Sequence, residues 1–563
     1  MNGPMFLGIH AGHDANVSLL DGDGRVLFAA GEERFNRIKM YAGFPEKALR
    51  YVIDRFAPRD VRLATPRLGT SAKALRELLF FVNSFRKGLA APRFGVWLQV
   101  GMKKLIRGRT LETHAGVAGI DPAWPVDNIE HHVAHAASAF YPSGFERCKV
   151  MTLDGEGDGY SCCLFDAGPE GLHRTFAAYH NEMTTGRDYE KVTAMLGFHP
   201  LRHPGKITGL AAYGTCNEAC IDALEQYLRQ SWRTDRRRVL STSQAYQVIS
   251  DEGRAELMHD RQTRFKDFSR EDLSFAIQYL TERDVLDLLR KKIPDPAAHD
   301  IALAGGVFAN VALNKKIKQL GFRRIFIQPA MSDAGLSLGA ALDRHPRRTR
   351  IDPFSTVYFG PSFTADEVRD LLVRENVTYE EPADPAEAAA ELLAQGKVLA
   401  RCSGPMEFGP RALGNRTIMY HAGDPSVNDW LNRQLKRSEF MPFAPVTLER
   451  FAGDCYIDYE GAERASKFMT ITFECTEAMK KQCPAVVHVD GTARPQVIAA
   501  QDNPEYAAIV EAYYRKTGIP TVVNTSFNMH EEPIVMTPMD ALRAFTASRL
   551  DAMLLGPFLL TNR

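Results

Sequence analysis

Residues 130–159 read Glu-His-His-Val-Ala-His-Ala-Ala-Ser-Ala-Phe-Tyr-Pro-Ser-Gly-Phe-Glu-Arg-Cys-Lys-Val-Met-Thr-Leu-Asp-Gly-Glu-Gly-Asp-Gly. The first part, rich in Ala, reads as helix, and His131 and His135 stand four apart in it. That spacing stacks two imidazoles on one helix face, where they can hold one cation. His132 faces elsewhere on the same helix. A β-rich run, Lys149 to Leu153, then delivers Asp154 and Asp158 into a glycine-rich turn. Carboxylates at the C-terminal end of a strand, beside a permissive backbone, suit a metal–phosphate site. The plain alternative is a surface helix followed by a turn that favours Asp and Gly.

Upstream, residues 5–30 alternate as a hairpin with a polar turn at His10-Ala-Gly-His-Asp14. Asp21-Gly-Asp-Gly24 is a tight-turn signal before a third strand. Glu32-Glu-Arg-Phe-Asn-Arg-Ile-Lys39 follows, readable as a solvated face or as a charged pocket wall. Residues 60–115 are a basic, helix-prone insertion without a catalytic motif. Downstream, His203-Pro-Gly-Lys-Ile-Thr-Gly-Leu-Ala-Ala-Tyr-Gly214 surrounds Lys206 with glycines and reads as a substrate loop. Residues 215–300 read as amphipathic helix. Ile301-Ala-Leu-Ala-Gly-Gly-Val-Phe-Ala-Asn310 is a buried strand, a Gly-Gly turn and a helix start; Asp333 sits at a second strand-to-helix junction. Residues 344–361 are proline-rich, basic and aperiodic, the best linker candidate.

At 563 residues, the length sets a soft expectation of about four lobes. A composition of 45% hydrophobic and 25% charged is that of a globular protein. Lys+Arg and Asp+Glu are both 69, so no global field favours nucleic acid or anionic membrane. The nine cysteines include no Cys-x-x-Cys pair, which argues against a zinc ribbon or disulfide scaffold and for a reducing cytosol. The N-terminus lacks signal-peptide character, and no apolar run reaches the ~18 residues of a membrane span. A cytoplasmic protein is expected.

Beyond the linker, Met406-Glu-Phe-Gly-Pro-Arg-Ala-Leu-Gly-Asn-Arg416, Leu435-Lys-Arg-Ser-Glu-Phe-Met-Pro-Phe-Ala-Pro445, His488-Val-Asp-Gly-Thr-Ala-Arg494 and Asn524-Thr-Ser-Phe-Asn528 place arginines and amides in glycine- or proline-bound loops. Arginine forks bind phosphate bidentately, and fixed Asn or Ser groups read a small carbonyl.

In the first part, the Gly-His-Asp turn, the Asp-Gly-Glu-Gly-Asp-Gly turn and Ala-Gly-Gly-Val resemble, in that order, the phosphate-1, phosphate-2 and adenosine segments of the actin/hexokinase/Hsp70 (ASKHA) superfamily. Adding His-x-x-x-His, Asp154 and Asp333 narrows the resemblance to its Kae1/TsaD branch. With the C-terminal strings, the whole chain resembles the O-carbamoyltransferase family of NodU/CmcH type, which includes the tobramycin carbamoyltransferase. The resemblance implies an α/β protein: a Kae1-like domain over 1–345, a linker over 346–360 and a YrdC-like domain over 361–563.

It also implies a two-step route. The YrdC-like domain would convert carbamoyl phosphate and ATP (with Mg2+) to carbamoyladenylate; the Kae1-like domain would transfer the carbamoyl group to a hydroxyl of a small-molecule acceptor, in natural-product or antibiotic biosynthesis. Carried over residue by residue, His13 is the general base, which needs a group titrating near neutrality, and Lys39 contacts the nucleotide. His131, His135, Asp154 and Asp333 hold a divalent metal, Fe2+ being the expected ion. Gly12, Asp14, Gly155, Gly157, Asp158, Gly305, Gly306, Asn310 and Lys206 are assigned to the nucleotide. Arg411, Arg416, Lys436, Arg437, Arg494, Asn524, Ser526 and Asn528 are assigned to carbamoyl phosphate. Two positions depart from the pattern: Pro204 where a small or acidic residue is usual, and Met40 where histidine often stands.

Two other readings compete. A fused tRNA threonylcarbamoyladenosine enzyme is disfavoured by the neutral charge and the lack of a basic RNA-binding stripe. A non-catalytic nucleotide-binding regulator leaves the arginine-rich loops unexplained. The expected partner is the acceptor, with neither nucleic acid nor membrane, and a homodimer fits the family.

Overall fold

The strand Met5–His10 (β1) is buried at all six positions, and Asn16–Leu20 (β2) at all five, so both faces of this hairpin are covered. The computed structural model describes residues 3–66, 119–180, 182–234, 251–346, 348, 351–435 and 443–562. Val26–Gly31 (β3) lies antiparallel to β2, while Val61–Thr65 (β4) and Val126–Asn128 (β5) add in parallel on the other side of β1. The sheet order is β3-β2-β1-β4-β5.

The same arrangement then recurs. Cys148–Gly157 (β6), Tyr160–Gly168 (β7) and Gly171–Tyr179 (β8) form an antiparallel meander; Ile301–Ala304 (β9) and Ile325–Ile327 (β10) extend it in parallel from β6. The order β8-β7-β6-β9-β10 repeats the first sheet strand for strand and sense for sense. This duplicated architecture is that of the actin/hexokinase/Hsp70 class. In each copy a helix follows the fifth strand: His131–Phe140 in the first, Leu336–Arg344 in the second. The two helices pack against each other at Gly339, where a Cβ would overlap the Ala134 carbonyl. Small residues therefore let the helices meet backbone to backbone, which brings the open ends of both copies together.

The chain beyond residue 398 forms a seven-stranded mixed sheet, ordered Gln496–Ile498, Ala444–Leu448, Thr521–Ser526, Arg416–His421, Leu399–Cys402, Ala552–Leu555 and Phe558–Thr561. Helices Pro385–Ala394 and Pro504–Thr517 cover one face over Leu399, Met419, Val446 and Val522. On the other face Ala400, Ile418 and Val523 join a core that continues to Leu153 and Leu303 of the second repeat. No helix among the described residues is long and apolar enough to cross a membrane.

Three sequence expectations are corrected by long-range packing. The expected linker is a packed strap over its described part. Phe354 and Val357 are buried, Phe354 N–H donates to Pro142 O, Ala29 N–H to Phe359 O and Phe408 N–H to Val357 O. Its aromatic and aliphatic residues, interspersed among prolines, supply what a free linker lacks. The expected substrate loop is helix Pro204–Ala211, started by proline at its first position, where proline's missing N–H costs nothing. Gly214 just beyond it packs on the Glu271 carbonyl. The charged segment after β3 is a brace: Arg34 donates to Gly409 O, and Arg37 to Pro533 O and Ile534 O. Most of the 60–115 insertion, residues 67–115, lies outside the described residues.

Candidate active site

The helix His131–Phe140 begins on two acceptors. The Glu130 carboxylate receives His132 N–H and the Asp158 carboxylate receives His131 N–H, at 3.1 and 3.0 Å. Acids here satisfy orphan amides and complement the helix dipole. Asp158, assigned to the nucleotide from sequence, anchors the histidine helix in this structure. His132 is a buried pillar, with Nδ1 2.8 Å from Thr152 Oγ1 and Nε2 3.1 Å from Tyr160 O. Burial pushes its pKa down to about 3, so it stays neutral.

The other two imidazoles turn toward one point. His131 Nε2 and His135 Nε2 are 3.1 Å apart. Asp154 Oδ2 is 3.4 Å from the first and 3.2 Å from the second. Asp333 Oδ1 is 3.5 Å from each. A four-coordinate ion with bonds of about 2.1 Å holds its ligand atoms about 3.4 Å apart, so the tetrad has the size of a metal site. Two carboxylates and two neutral imidazoles also balance a divalent charge. In the chain alone, protons stand in for the cation. Burial opposes an imidazolium at His135, yet hydrogen bonds to Asp154 and Asp333 lift its pKa to about 9. Asp333 is held down to about 2, against its own burial, chiefly by His131 and His135. The geometry and donor chemistry fit the group that the sequence implies.

Each ligand is positioned by its own element. β6 continues past Leu153 with a register shift, and Asp154 Oδ1 accepts the Gly155 N–H at 2.7 Å. Gly157, assigned to the nucleotide from sequence, makes room for His131, whose ring a Cβ would overlap. Asp333 opens the turn before helix Leu336–Arg344. The sequence reading missed Asn16, which bridges the two repeats. Its Nδ2 donates to Asp14 O at 2.5 Å and Asp333 O at 2.8 Å, and its Oδ1 accepts Ser337 N–H. Also missed was His10, with Nε2 2.9 Å from His13 O and 3.6 Å from Asp333 Oδ2. The signal was there: polar residues in a strand that is otherwise apolar.

His13 lies at the mouth, 36% exposed, with Nδ1 3.4 Å from Asp14 Oδ2. Burial lowers its pKa, but Asp14, Asp333, Asp154 and Glu190 outweigh that and the net shift is upward. Asp14 is raised to about 6 by burial and receives the Ser332 hydroxyl at 3.1 Å. Gly12 bridges to Gly43 at the base of this turn. A second pair missed by the sequence reading, Arg187–Glu190 at 2.8 Å, packs against Gly155. Gly306 faces Asp154.

Other assigned residues lie elsewhere. Gly305 has φ +112 and lets β9 approach the Leu153 carbonyl, so its lack of a Cβ serves sheet packing. Asn310 caps helix Val311–Lys318 and pairs with Gln278. Lys206 is buried, its ammonium 5.8 Å from the Phe198 ring centre. The Lys39 carbonyl accepts from Arg202, whose guanidinium pairs with Glu531.

In the second half, Arg416 is corrected: its guanidinium is fully buried and donates to the carbonyls of Met536, Ser403, Gly404, Asn415 and Pro361. Asn524 accepts from Thr417 and donates to Ala412 O and Gln496 Oε1, so it too is occupied within the fold. Ser526 donates to Asn528, which donates to Met529 O and Glu532 O. Arg411 and Arg494 are half-buried, each on a loop, and these loops lead into the network through Ala412 and Gln496. Lys436 and Arg437 lie outside the described residues. Glu407, unassigned from sequence, shapes the Arg411 loop by accepting the N–H groups of Leu413, Asn415 and Arg416.

The fold and the tetrad define a duplicated ASKHA-type domain with a cation-sized site at the junction of its repeats, joined to an α/β domain. Family models described as Carbamoyltransferase N-terminus and Carbamoyltransferase C-terminus match residues 94–342 and 390–562. The chain belongs to the carbamoyltransferase family of the NodU/NolO type, and is a transferase. The nodulation protein NolNO of Sinorhizobium fredii is 31% identical, over 98% of this chain and 79% of the relative. An uncharacterized protein of Methanocaldococcus jannaschii is 31% identical over 99% of this chain and 100% of its own length. Nodulation protein U of Sinorhizobium fredii is 26% identical over 93% of each. Among solved structures, component A of the Acidaminococcus fermentans (R)-2-hydroxyglutaryl-CoA dehydratase aligns over 62% of this chain and 99% of its own, with a TM-score of 0.34 and 13% identity. Full-length HypF in its phosphate- and nucleotide-bound form aligns over 61% and 46%, with a TM-score of 0.31 and 14% identity.

Proposed function

We propose that the chain is an ATP-dependent O-carbamoyltransferase: in its second domain water cleaves carbamoyl phosphate to carbamate and inorganic phosphate, carbamate displaces pyrophosphate from the α-phosphate of ATP to give carbamoyladenylate, and the carbamoyl group then passes to an acceptor hydroxyl at the tetrad. The observation that carries this reading is His13: a half-exposed imidazole, backed by Asp14, at the mouth of the site formed by His131, His135, Asp154 and Asp333. His13 takes the proton of the acceptor hydroxyl as its oxygen attacks the carbamoyl carbon, and AMP leaves. Asp14 orients the His13 ring and stabilises the imidazolium that forms, while Ser332 fixes Asp14. His131, His135, Asp154 and Asp333 would hold a divalent ion, Fe2+ in this reading. When bound, it supplies Lewis-acid polarisation and charge neutralisation beside the phosphate or carbonyl. The Gly12–Asp14 and Asp154–Gly159 turns, facing each other across the repeats, would position the nucleotide.

In the second domain, Arg411 and Arg494 are the guanidinium groups retained for carbamoyl phosphate, with Ser526 and Asn528 beside them; Lys436 and Arg437 complete the assignment. Mg2+ accompanies ATP. The acceptor is a hydroxylated small molecule of natural-product or signal-molecule type; neither nucleic acid nor membrane enters the scheme. The location is the cytoplasm, and a homodimer is part of the proposal. Incubation with ATP and carbamoyl phosphate tests it. Pyrophosphate is expected, and a carbamoyl mass gain on a panel of aminoglycosides, macrolactams and sugars would identify the acceptor. Absence of pyrophosphate with and without acceptors contradicts it.

A further inference from the structure

A cavity of ≈ 610 Å³ opens in the second domain, walled only by residues between Phe363 and Pro557. No metal-tetrad residue lines it, and of the residues assigned to carbamoyl phosphate only Arg416 does, its donors held by carbonyls. The volume is that of a small-molecule site, for which about 300–1,000 Å³ is usual. It sits at the carboxyl ends of the parallel strands Leu399–Cys402 and Ala552–Leu555, where open α/β sheets place ligands.

Its charged groups are few. Arg401 is 2% exposed and gives Nη1 to Gly414 O and to Asn415 Oδ1. Its Nη2 reaches Glu505 Oε2 at 2.6 Å, and the same oxygen accepts the Ser403 hydroxyl at 2.9 Å. Glu505 itself is 72% exposed. A buried guanidinium thus takes its one carboxylate from a side chain lying mostly in solvent. Burial disfavours the Arg401 cation, and the Glu505 carboxylate against Nη2 is the foremost group that opposes this.

With Glu505 turned out, the wall carries Arg401, Arg416 and Asp384, a net charge of +1. The first turns of helices Ala365–Arg374, Pro385–Ala394, Pro504–Thr517 and Pro538–Ser548 also border the cavity, adding the positive ends of four helix dipoles. Their caps Thr364, Asp384, Asn503 and Thr537 already accept the first amides, so the helices contribute field and not donors. The rest of the wall is largely apolar, with Phe363, Val368, Ile509 and Leu554. A plain acid at a helix start would explain Glu505 alone. It does not explain the cavity beside it.

We propose that this cavity binds a small amphipathic monocarboxylate whose head group displaces Glu505 from Arg401 and Ser403 while its apolar body lies on Phe363, Val368, Ile509 and Leu554. Glu505 is an internal stand-in for the ligand, and the site is independent of carbamoyl transfer. Titration calorimetry on the full chain with 3-phenylpropionate tests this. Glu505→Ala removes the competitor and is expected to tighten binding at least about tenfold. Ala386→Trp, which fills a half-buried part of the wall, is expected to abolish binding in either background. The neutral 3-phenylpropanamide and the dianion phenyl phosphate are expected to bind at least about tenfold more weakly than the carboxylate. Chelation of divalent metal is expected to leave the affinity unchanged. The proposal is overturned if Glu505→Ala binds no 3-phenylpropionate or binds it no tighter than the unaltered chain. Equal binding of the amide or the phosphate, indifference to Ala386→Trp, or loss on chelation overturns it as well.

Discussion

At the junction of the two repeats, His131, His135, Asp154 and Asp333 turn their ligand atoms toward one point, with measured separations of 3.1–3.5 Å. Around Asn524, by contrast, Thr417, Gln496 and Asn524 turn theirs toward one another and toward the Ala412 carbonyl. Both clusters are polar and largely shielded, and the tetrad and Asn524 were each assigned to a ligand from sequence. The first converges like-natured acceptor atoms that only a cation or protons can reconcile. The second pairs donors with acceptors and is complete without a ligand. Convergence of like-natured groups distinguishes the first cluster from the second; polarity and burial do not.

Substitutions sharpen this contrast. Asp154→Asn should lower carbamoyl transfer about 10⁴-fold and empty the metal site, as read by ester formation and by elemental analysis of the purified chain. His13→Asn should cost about 10³-fold in transfer, while metal content and pyrophosphate release stay at their normal levels. The pH profile of the unaltered protein belongs with that test. His13 must be neutral to accept a proton, and its pKa is raised, so transfer should fall as pH drops through a value above the ordinary histidine 6.5. In His13→Asn that limb should disappear.

Arg416→Ala should act on stability, lowering it by about 3 kcal/mol in denaturant unfolding because five carbonyls lose a hydrogen bond, those of Met536, Ser403 and Gly404 among them. Lysine should not rescue it, since an ammonium lacks the fork that reaches them. If Arg416→Ala instead folds normally and raises only the KM for carbamoyl phosphate, Arg416 returns to the ligand site. Gly157→Ala, which crowds the His131 ring, should weaken metal binding about 10–100-fold with the fold intact, measured by competition with a chelator.

Part of the tetrad was legible in sequence because it is local, His131, His135 and Asp154 lying within 24 residues, while Asp333 came in through the family resemblance. Four-residue spacing on an Ala-rich helix and acids at strand ends set their own geometry, and the hairpin of β1 and β2 carried its own turn signal. What sequence hid depends on distant partners. Arg416 finds Met536 and Pro361, 120 and 55 residues away, and nothing in Gly-Asn-Arg distinguishes a carbonyl-bound guanidinium from a phosphate-bound one. The same holds for the strap at 351–361 and for Asp158, whose role appears only once His131 N–H is beside it. His10 and Asn16 were readable as polar residues in buried strands, but their bridging of the two repeats required the second copy in place.

In the proposed scheme activation and transfer are separate, and the tetrad serves the second. Pyrophosphate and carbamoyl ester measured together on Asp154→Asn, with ATP, carbamoyl phosphate and an accepted hydroxyl substrate, test it most directly. Pyrophosphate release within a few-fold of the unaltered protein is expected, with no detectable ester. Ester formation at the unaltered rate, or loss of pyrophosphate together with ester, would contradict it.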